Sequence, residues 1–274
     1  MHKKIMFITI TIVLSIFAIM TIYPMIFVIL TSFKNNTEFY SDFWGLPSQL
    51  LWSNYSLVFG TIIGIYAKNS LIYSSLNLLL DLSIASLAGF AFARYKIRYK
   101  EVLFYLVLVF MMVPGILLLV PMYVEVADLH GLNNIWGLIL PWTASDLPLG
   151  TFILRRFFQT ESIELFEAAK VDGASEFRIF FQIALPLAKP ALTIVAILDV
   201  LFTMNDFLWP LLIMTKPETQ PLAVGLLNYS GGSGGVLTWG NVFAAYVLAM
   251  IPLAILFAIF SRQFVEALTE GAIK

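Results

Sequence analysis

Four acidic residues, Asp81, Asp146, Asp199 and Asp206, fall in or beside long apolar stretches of the chain. An acid in hydrocarbon costs roughly 3 kcal/mol on insertion scales, so each should face a pathway or a partner group. Asn205 precedes Asp206, and Trp209 follows it closely. Amide and carboxylate groups bond hydroxyls, and an aromatic face stacks on C–H surface, so this set fits a polyhydroxylated ring. Asp81 and Asp199 fit the same role or plain hydrogen bonds between helices. Asp146 falls near the outer end of its stretch. Catalytic chemistry finds no comparable set. There is no Cys, and the two histidines, His2 and His130, lie far apart, which removes thiolate chemistry and gives no metal-ligand spacing. No serine–histidine or carboxylate–metal constellation occurs. The glycine-rich run 231–235 is not followed by G-K-[ST], so it is no phosphate loop. If ATP drives this protein, another subunit binds it.

A second patterned segment, 160–186, mixes polar and apolar residues. Thr160 or Ser162 can cap a helix start, with Glu161 and Glu164 in the favourable first turn. Ile163, Phe166, Ala169 and Lys170 follow at helical spacing. Gly173 stands where a left-handed residue would end the helix. A second helix can begin at Ser175, with Phe177, Phe180, Phe181 and Ala184 on one face and Arg178 and Gln182 opposite. Two readings fit: an amphipathic segment lying on lipid, or a surface for a protein. The mixed charges, Glu164, Glu167, Asp172 and Glu176 beside Lys170 and Arg178, favour a protein.

These residues need membrane helices to hold them. The chain has 274 residues, 60% hydrophobic and 12% charged, with mean hydropathy +0.89. A soluble domain carries about 25% charged residues, so the class is all-α integral membrane. The net charge of −1 gives no field for nucleic acid. Apolar runs predict six spans, about 5–33, 70–92, 102–123, 135–154, 187–214 and 242–260, in one domain over 1–274. Pro114, Pro121, Pro141 and Pro148 interrupt the third and fourth. The first run is too long for a signal peptide and lacks an A-x-A site, so it reads as a retained helix. With the N-terminus inside, 13 Lys and Arg lie inside and 3 outside, which puts both termini and the 160–186 stretch in the cytoplasm. Outer loops cover 34–69 and 215–241. Trp136, Trp142 and Trp239 read as interfacial anchors. Ala85, Gly89 and Ala93 recur at i, i+4, i+8, a close helix contact within the subunit or to a partner.

The stretch contains E-A-A (Glu167, Ala168, Ala169), three residues, Gly173, nine residues, then I-x-L-P (Ile183, Leu185, Pro186). This resembles the EAA loop of ABC-importer permeases. "KNSLIYSS" at 68–75, "FTMNDFLWPLLIM" at 202–214 and the tail "FVEALTEGAIK" resemble the carbohydrate-uptake, maltose-type branch, in particular its smaller permease subunit. The resemblance implies the type I importer permease fold in a bacterial cytoplasmic membrane. It implies a heterodimer with a second homologous permease, two ATPase subunits carrying ATP and Mg, and an extracytoplasmic sugar-binding protein. No cofactor is implied in this chain. A coupling helix would dock on an ATPase subunit through Glu167, Ala168, Ala169, Asp172, Gly173 and Phe177, with Ile183, Leu185 and Pro186 leading into a span. Asn205, Asp206, Trp209 and Asp81 become pathway candidates. An outer loop with Asn228, Tyr229, Gly231 and Gly232 would meet the binding protein. The competing reading is a self-contained secondary transporter or channel, against which no internal repeat is found.

Overall fold

The computed structural model describes residues 2–59, 63–230 and 238–270. The described residues are helical: α1 His2–Thr31, α2 Asn36–Ser41, α3 Ser53–Phe59, α4 Ile63–Arg94, α5 Lys100–Val109, α6 Gly115–Asp128, α7 Ile135–Thr160, α8 Ile163–Val171, α9 Glu176–Ile179, α10 Leu185–Leu187, α11 Lys189–Asn205, α12 Leu208–Ile213, α13 Leu222–Ser230 and α14 Trp239–Glu270. They fall in two compact units, Met1–Ile65 with Gly225–Leu256, and Tyr66–Val224 with Phe257–Lys274.

Three expected spans are single helices long and apolar enough to cross a membrane: Lys4–Thr31, Ile63–Arg94 and Ile135–Thr160. The third expected span is instead two helices, Lys100–Met112 and Gly115–Asp128, turned 97° apart. Pro114 explains the break, since proline forces the preceding residue out of helical geometry, and Val113 is extended at ψ 117°. Pro121, Pro141 and Pro148 lie inside unbroken helices, so one of the four flagged prolines breaks a span. The fifth span follows a 75° turn between Glu176–Leu187 and Lys189–Asn205. Its helix ends at Asn205, short of the expected 214, and resumes as α12. The sixth expected span, 242–260, lies within α14, which runs from Trp239 to Glu270. The described helices therefore supply three spans, or up to five with each bent pair as one.

In the first unit, α1 buries none of its apolar window against the rest of the chain, as suits a helix solvated by hydrocarbon. Within the expected outer loop 34–69, the described residues carry α2, α3 and the start of α4. Asn35 caps α2 by accepting the Glu38 N–H at 2.8 Å. The buried Lys34 donates to the carbonyls of Asp42 (2.7 Å) and Phe43 (3.2 Å). Buried Asn54 donates to the Ser32 carbonyl at 2.8 Å. Trp239, expected as an interfacial anchor, stacks on Phe39 at 5.1 Å and donates to Tyr40 at 2.7 Å.

The second unit holds the candidate sites. Its core runs along α4, α7, α8, α9, the turn after α9 and α11, through Ala85, Phe90, Leu154, Phe158, Phe166, Ile179, Phe180, Ala184, Ala191 and Val195. The small-residue stripe is a contact within this unit. A Cβ on Gly89 would stand 2.9 Å from the Arg155 backbone N and from Leu154 Cβ, and one on Gly150 would stand 3.1 Å from Ala85 Cβ. Gly89→Val should therefore destabilise the detergent-solubilised chain by about 1–3 kcal/mol, the range for overpacking. Gly115→Ala, where the added methyl meets nothing within 4 Å, is the control. Equal thermal midpoints for the two variants would contradict this packing.

Candidate functional site

The 160–186 stretch forms α8, a glycine corner, then α9. Ser162 occupies the N-cap but bonds no backbone N–H. Its hydroxyl donates to Glu164 Oε2 at 3.1 Å, and the Thr160 hydroxyl turns back to the Phe157 carbonyl at 2.7 Å. The expected side-chain cap is therefore absent, and tertiary contacts hold the helix. Phe166 enters the core beside Phe90. The Arg94 guanidinium sits 4.2 Å above the Phe166 ring and donates to the Glu161 carbonyl at 2.8 Å. Arg94 ends α4, so it ties that long helix to α8. Arg94 is one of the 13 basic residues expected inside, and no local pattern marks it as a contact.

At the other end Gly173 has φ +81°. The Ala174 N–H donates to the Ala169 carbonyl and the Gly173 N–H to the Lys170 carbonyl, each at 3.0 Å. This is a Schellman motif, in which a left-handed residue lets two following N–H groups satisfy the last carbonyls. Lys170 pairs with Glu176 at 2.6 Å, and the Tyr95 hydroxyl donates to Glu176 at 2.8 Å. Ser175 caps α9 as expected, accepting the Arg178 N–H at 3.3 Å. Hydrogen bonds from Lys170 and then Tyr95 hold the Glu176 carboxyl below its ordinary range. Burial, then Glu176, push the Tyr95 phenol up to about 12. The Glu176 contribution is present above the carboxyl's unfolded pKa and is lost as pH falls through its depressed folded value. Both Lys170 and Glu176 are about half exposed, so Glu176→Gln should cost no more than ~1 kcal/mol. A larger drop in thermal midpoint would contradict that placement.

The structure places Glu167, Ala168, Lys170, Val171, Asp172 and Gly173 on an exposed surface, with Val171 88% exposed. Ala169, Ile183 and Leu185 pack partly buried against the core, and Pro186 is exposed. The expected shared face of Phe177, Phe180, Phe181 and Ala184 splits. Phe180 and Ala184 are buried, while Phe177 and Phe181 are 74% and 55% exposed. A π-helical turn over Phe180–Ala184 closes with the Leu185 N–H on the Phe180 carbonyl. The extra residue rotates the helix just before Pro186, which has no N–H to give. Arg178 and Gln182 do share an outward side, bonded at 2.9 Å.

The pathway candidates divide. Asp206 and Trp209 line one cleft of about 240 Å³ with Trp142, Phe202, Ser145 and Met122. The Trp142 Nε1–H donates to Asp206 Oδ2 at 2.6 Å. Buried Trp209 Nε1 finds no acceptor among the described residues. Trp142, expected as an interfacial anchor, is a buried wall of this cleft. Asn205 turns away, donating to the Leu201 carbonyl at 2.7 Å from an exposed position. Asp81 lies in a separate cavity of about 10 Å³ with Asp146 and Asp199. Asp146 thus sits with the other acids rather than apart at an outer end. Asn228 lies in α13, and the side chain of Tyr229 and residues Gly231 and Gly232 fall outside the described residues.

Comparison with known proteins bears on both sites. Residues 82–270 match the family described as binding-protein-dependent transport system inner membrane component. The trehalose/maltose transport system permease protein of Thermococcus litoralis is 34% identical, over 94% of this chain and 93% of its own. The arabinooligosaccharides transport system permease protein of Halalkalibacterium halodurans is 33% identical, over 96% and 95%. A solved bacterial ABC transporter involved in import of the acidic polysaccharide alginate superposes with TM-score 0.82 over 94% of this chain and 96% of that chain, at 22% identity. That likeness speaks for the fold.

Proposed function

The chain belongs to the binding-protein-dependent transport system inner membrane component family, and from that premise we propose that it is one permease subunit of an ATP-driven importer of oligosaccharides. Curated relatives are named for maltose, trehalose and arabinooligosaccharide transport, which supports a sugar cargo. The observation that carries the mechanism is the α8 corner. One side of α8 is anchored through Phe166 and Arg94, while Glu167, Ala168, Val171, Asp172 and Gly173 stand free of the rest of the chain. Small Ala168 and Gly173 allow close approach, Val171 and Phe177 offer apolar anchors, and Glu167 and Asp172 can pair with basic residues. That surface suits docking on an ATPase subunit in the cytoplasm.

ATP would close a pair of ATPase subunits and draw the docked helices together, biasing the permease pair toward an outward-facing state. ATP does so only through different affinities for the two states. The Phe166–Arg94 contact would carry the motion into α4, and the α9–α10 segment would carry it into α11. A second permease completes the pathway, and a sugar-binding protein meets the outer loop around Asn228. Asp206 and Trp209 would present a carboxyl and an aromatic wall to sugar. Asn205 would join them only after a local turn, and Asp81 is packed out of that cleft. The apolar runs support six spans, and the charge bias supports both termini in the cytoplasm.

Reconstituted vesicles test this. Oligosaccharide uptake is expected only with the second permease, the ATPase and ATP together. Uptake by this chain alone would establish the self-contained transporter instead.

A further inference from the structure

We propose that Asp81, Asp146 and Asp199 form a proton-binding site that clasps α4, α7 and α11 together. The three acids come from three different helices and line one small cavity of about 10 Å³ together with Leu149, Ile153, Val195 and Leu198; Asp146 is partly buried. Asp81 is 0% exposed and Asp199 2%. Among the described residues, no donor reaches either oxygen of Asp81, Asp146 Oδ2 or Asp199 Oδ1. The Asn77 amide donates at 2.7 Å to Asp199 Oδ2, and its own oxygen accepts the Thr143 hydroxyl at 2.8 Å. No Lys, Arg or His lines the cavity. Asn77 also bonds Asp146, whose further charged neighbour is another acid, Asp206.

Three carboxylates in so small an apolar space repel one another, and burial penalises each charge. Something positive must enter. The described residues include no group of three acids or histidines arranged to hold a metal ion. The cavity is about the size that admits a single water. A proton meets both demands at once. It removes a charge, and it turns a carboxylate oxygen from acceptor into donor, supplying the hydrogen bond that the surrounding residues do not. With the groups this close, the proton belongs to the cluster rather than to one residue.

The site lies where helix movement would be felt. Arg94 ties α4 to α8, and α11 follows directly on the α9–α10 segment. Parting the three helices would admit water and free the proton. Packed conformers are therefore favoured at lower pH, and parted ones as pH rises.

Infrared spectroscopy of the complete reconstituted transporter tests the proposal. At pH 7 exposed carboxyls are ionised, so a C=O band of protonated carboxylic acid, shifting in D2O, reports buried protons. The band is expected in the wild type, in sodium or sodium-free buffer alike. It should be clearly diminished in Asp81→Asn/Asp199→Asn, whose amides mimic the neutral acid. If that pair fails to assemble, Asp81→Asn and Asp199→Asn singly should each lower it. A wild-type complex without the band at pH 7, or a band undiminished by these substitutions, overturns the proposal.

Discussion

ATP-driven oligosaccharide uptake should fall about 5- to 30-fold when Gly173 becomes valine, with the amount of inserted chain unchanged. Gly173 is the positive-φ glycine among the described residues, at +81°. A left-handed backbone costs an ordinary L-residue roughly 1–2 kcal/mol, and about 1.4 kcal/mol is tenfold in a population. A Cβ there would touch nothing within 4 Å, so the cost is the backbone's and not a clash. What it endangers is the Schellman pair that ends α8 and sets the entry of α9. Asparagine tolerates the left-handed region, so Gly173→Asn should keep uptake within about threefold of wild type. Equal losses for both variants would move the cause from the corner's conformation to the bulk on its surface. Wild-type uptake with valine would remove the corner from the mechanism.

The second large effect is expected at Asp206. Asp206→Ala should lower uptake about 10- to 100-fold per inserted chain, the scale of losing hydrogen bonds to a charged group, roughly 1.5–3 kcal/mol. The alanine also orphans the Trp142 indole N–H, now bonded to Asp206 at 2.6 Å. Trp142→Phe removes that same bond while keeping both the carboxyl and an aromatic wall. It should cost no more than about fivefold. If Trp142→Phe loses as much as Asp206→Ala, the carboxyl serves to hold Trp142 and does not meet sugar. Unchanged uptake in Asp206→Ala would make the residue structural in this cleft.

Much of the 160–186 stretch was legible because it is local. Ser162, Ser175 and Gly173 mark starts and stops through their own backbone preferences, and α8 and α9 fall between them. Pro114 likewise announced the break after Val113. Pro141 and Pro148 did not break α7, because a helix packed on several sides can keep its course through a proline. The split of the phenylalanine face was hidden, since the π turn over Phe180–Ala184 adds a residue that regular periodicity does not count. Long-range partners were hidden for a different reason. Arg94 meets Phe166, and Trp142 meets Asp206, across 72 and 64 residues of chain, and nothing in either local sequence carries the other. Asn205 and Asp206 are adjacent, yet the helix ends between them and sends their side chains apart. Asp81, Asp146 and Asp199 each looked like an isolated polar residue until three helices brought them to one cavity.

If an ATPase subunit acts on α8, it must lie against the exposed turn that ends at Gly173. The chain has no cysteine, so Val171→Cys gives it one thiol, at a position 88% exposed beside Gly173. A thiol-to-amine crosslinker in the purified transporter measures what lies against it. A crosslink to the ATPase subunit is expected, its yield changing when ATP binds, with none from a control cysteine at exposed Met112. An intact, ATP-hydrolysing complex in which Val171→Cys never joins the ATPase subunit would contradict it.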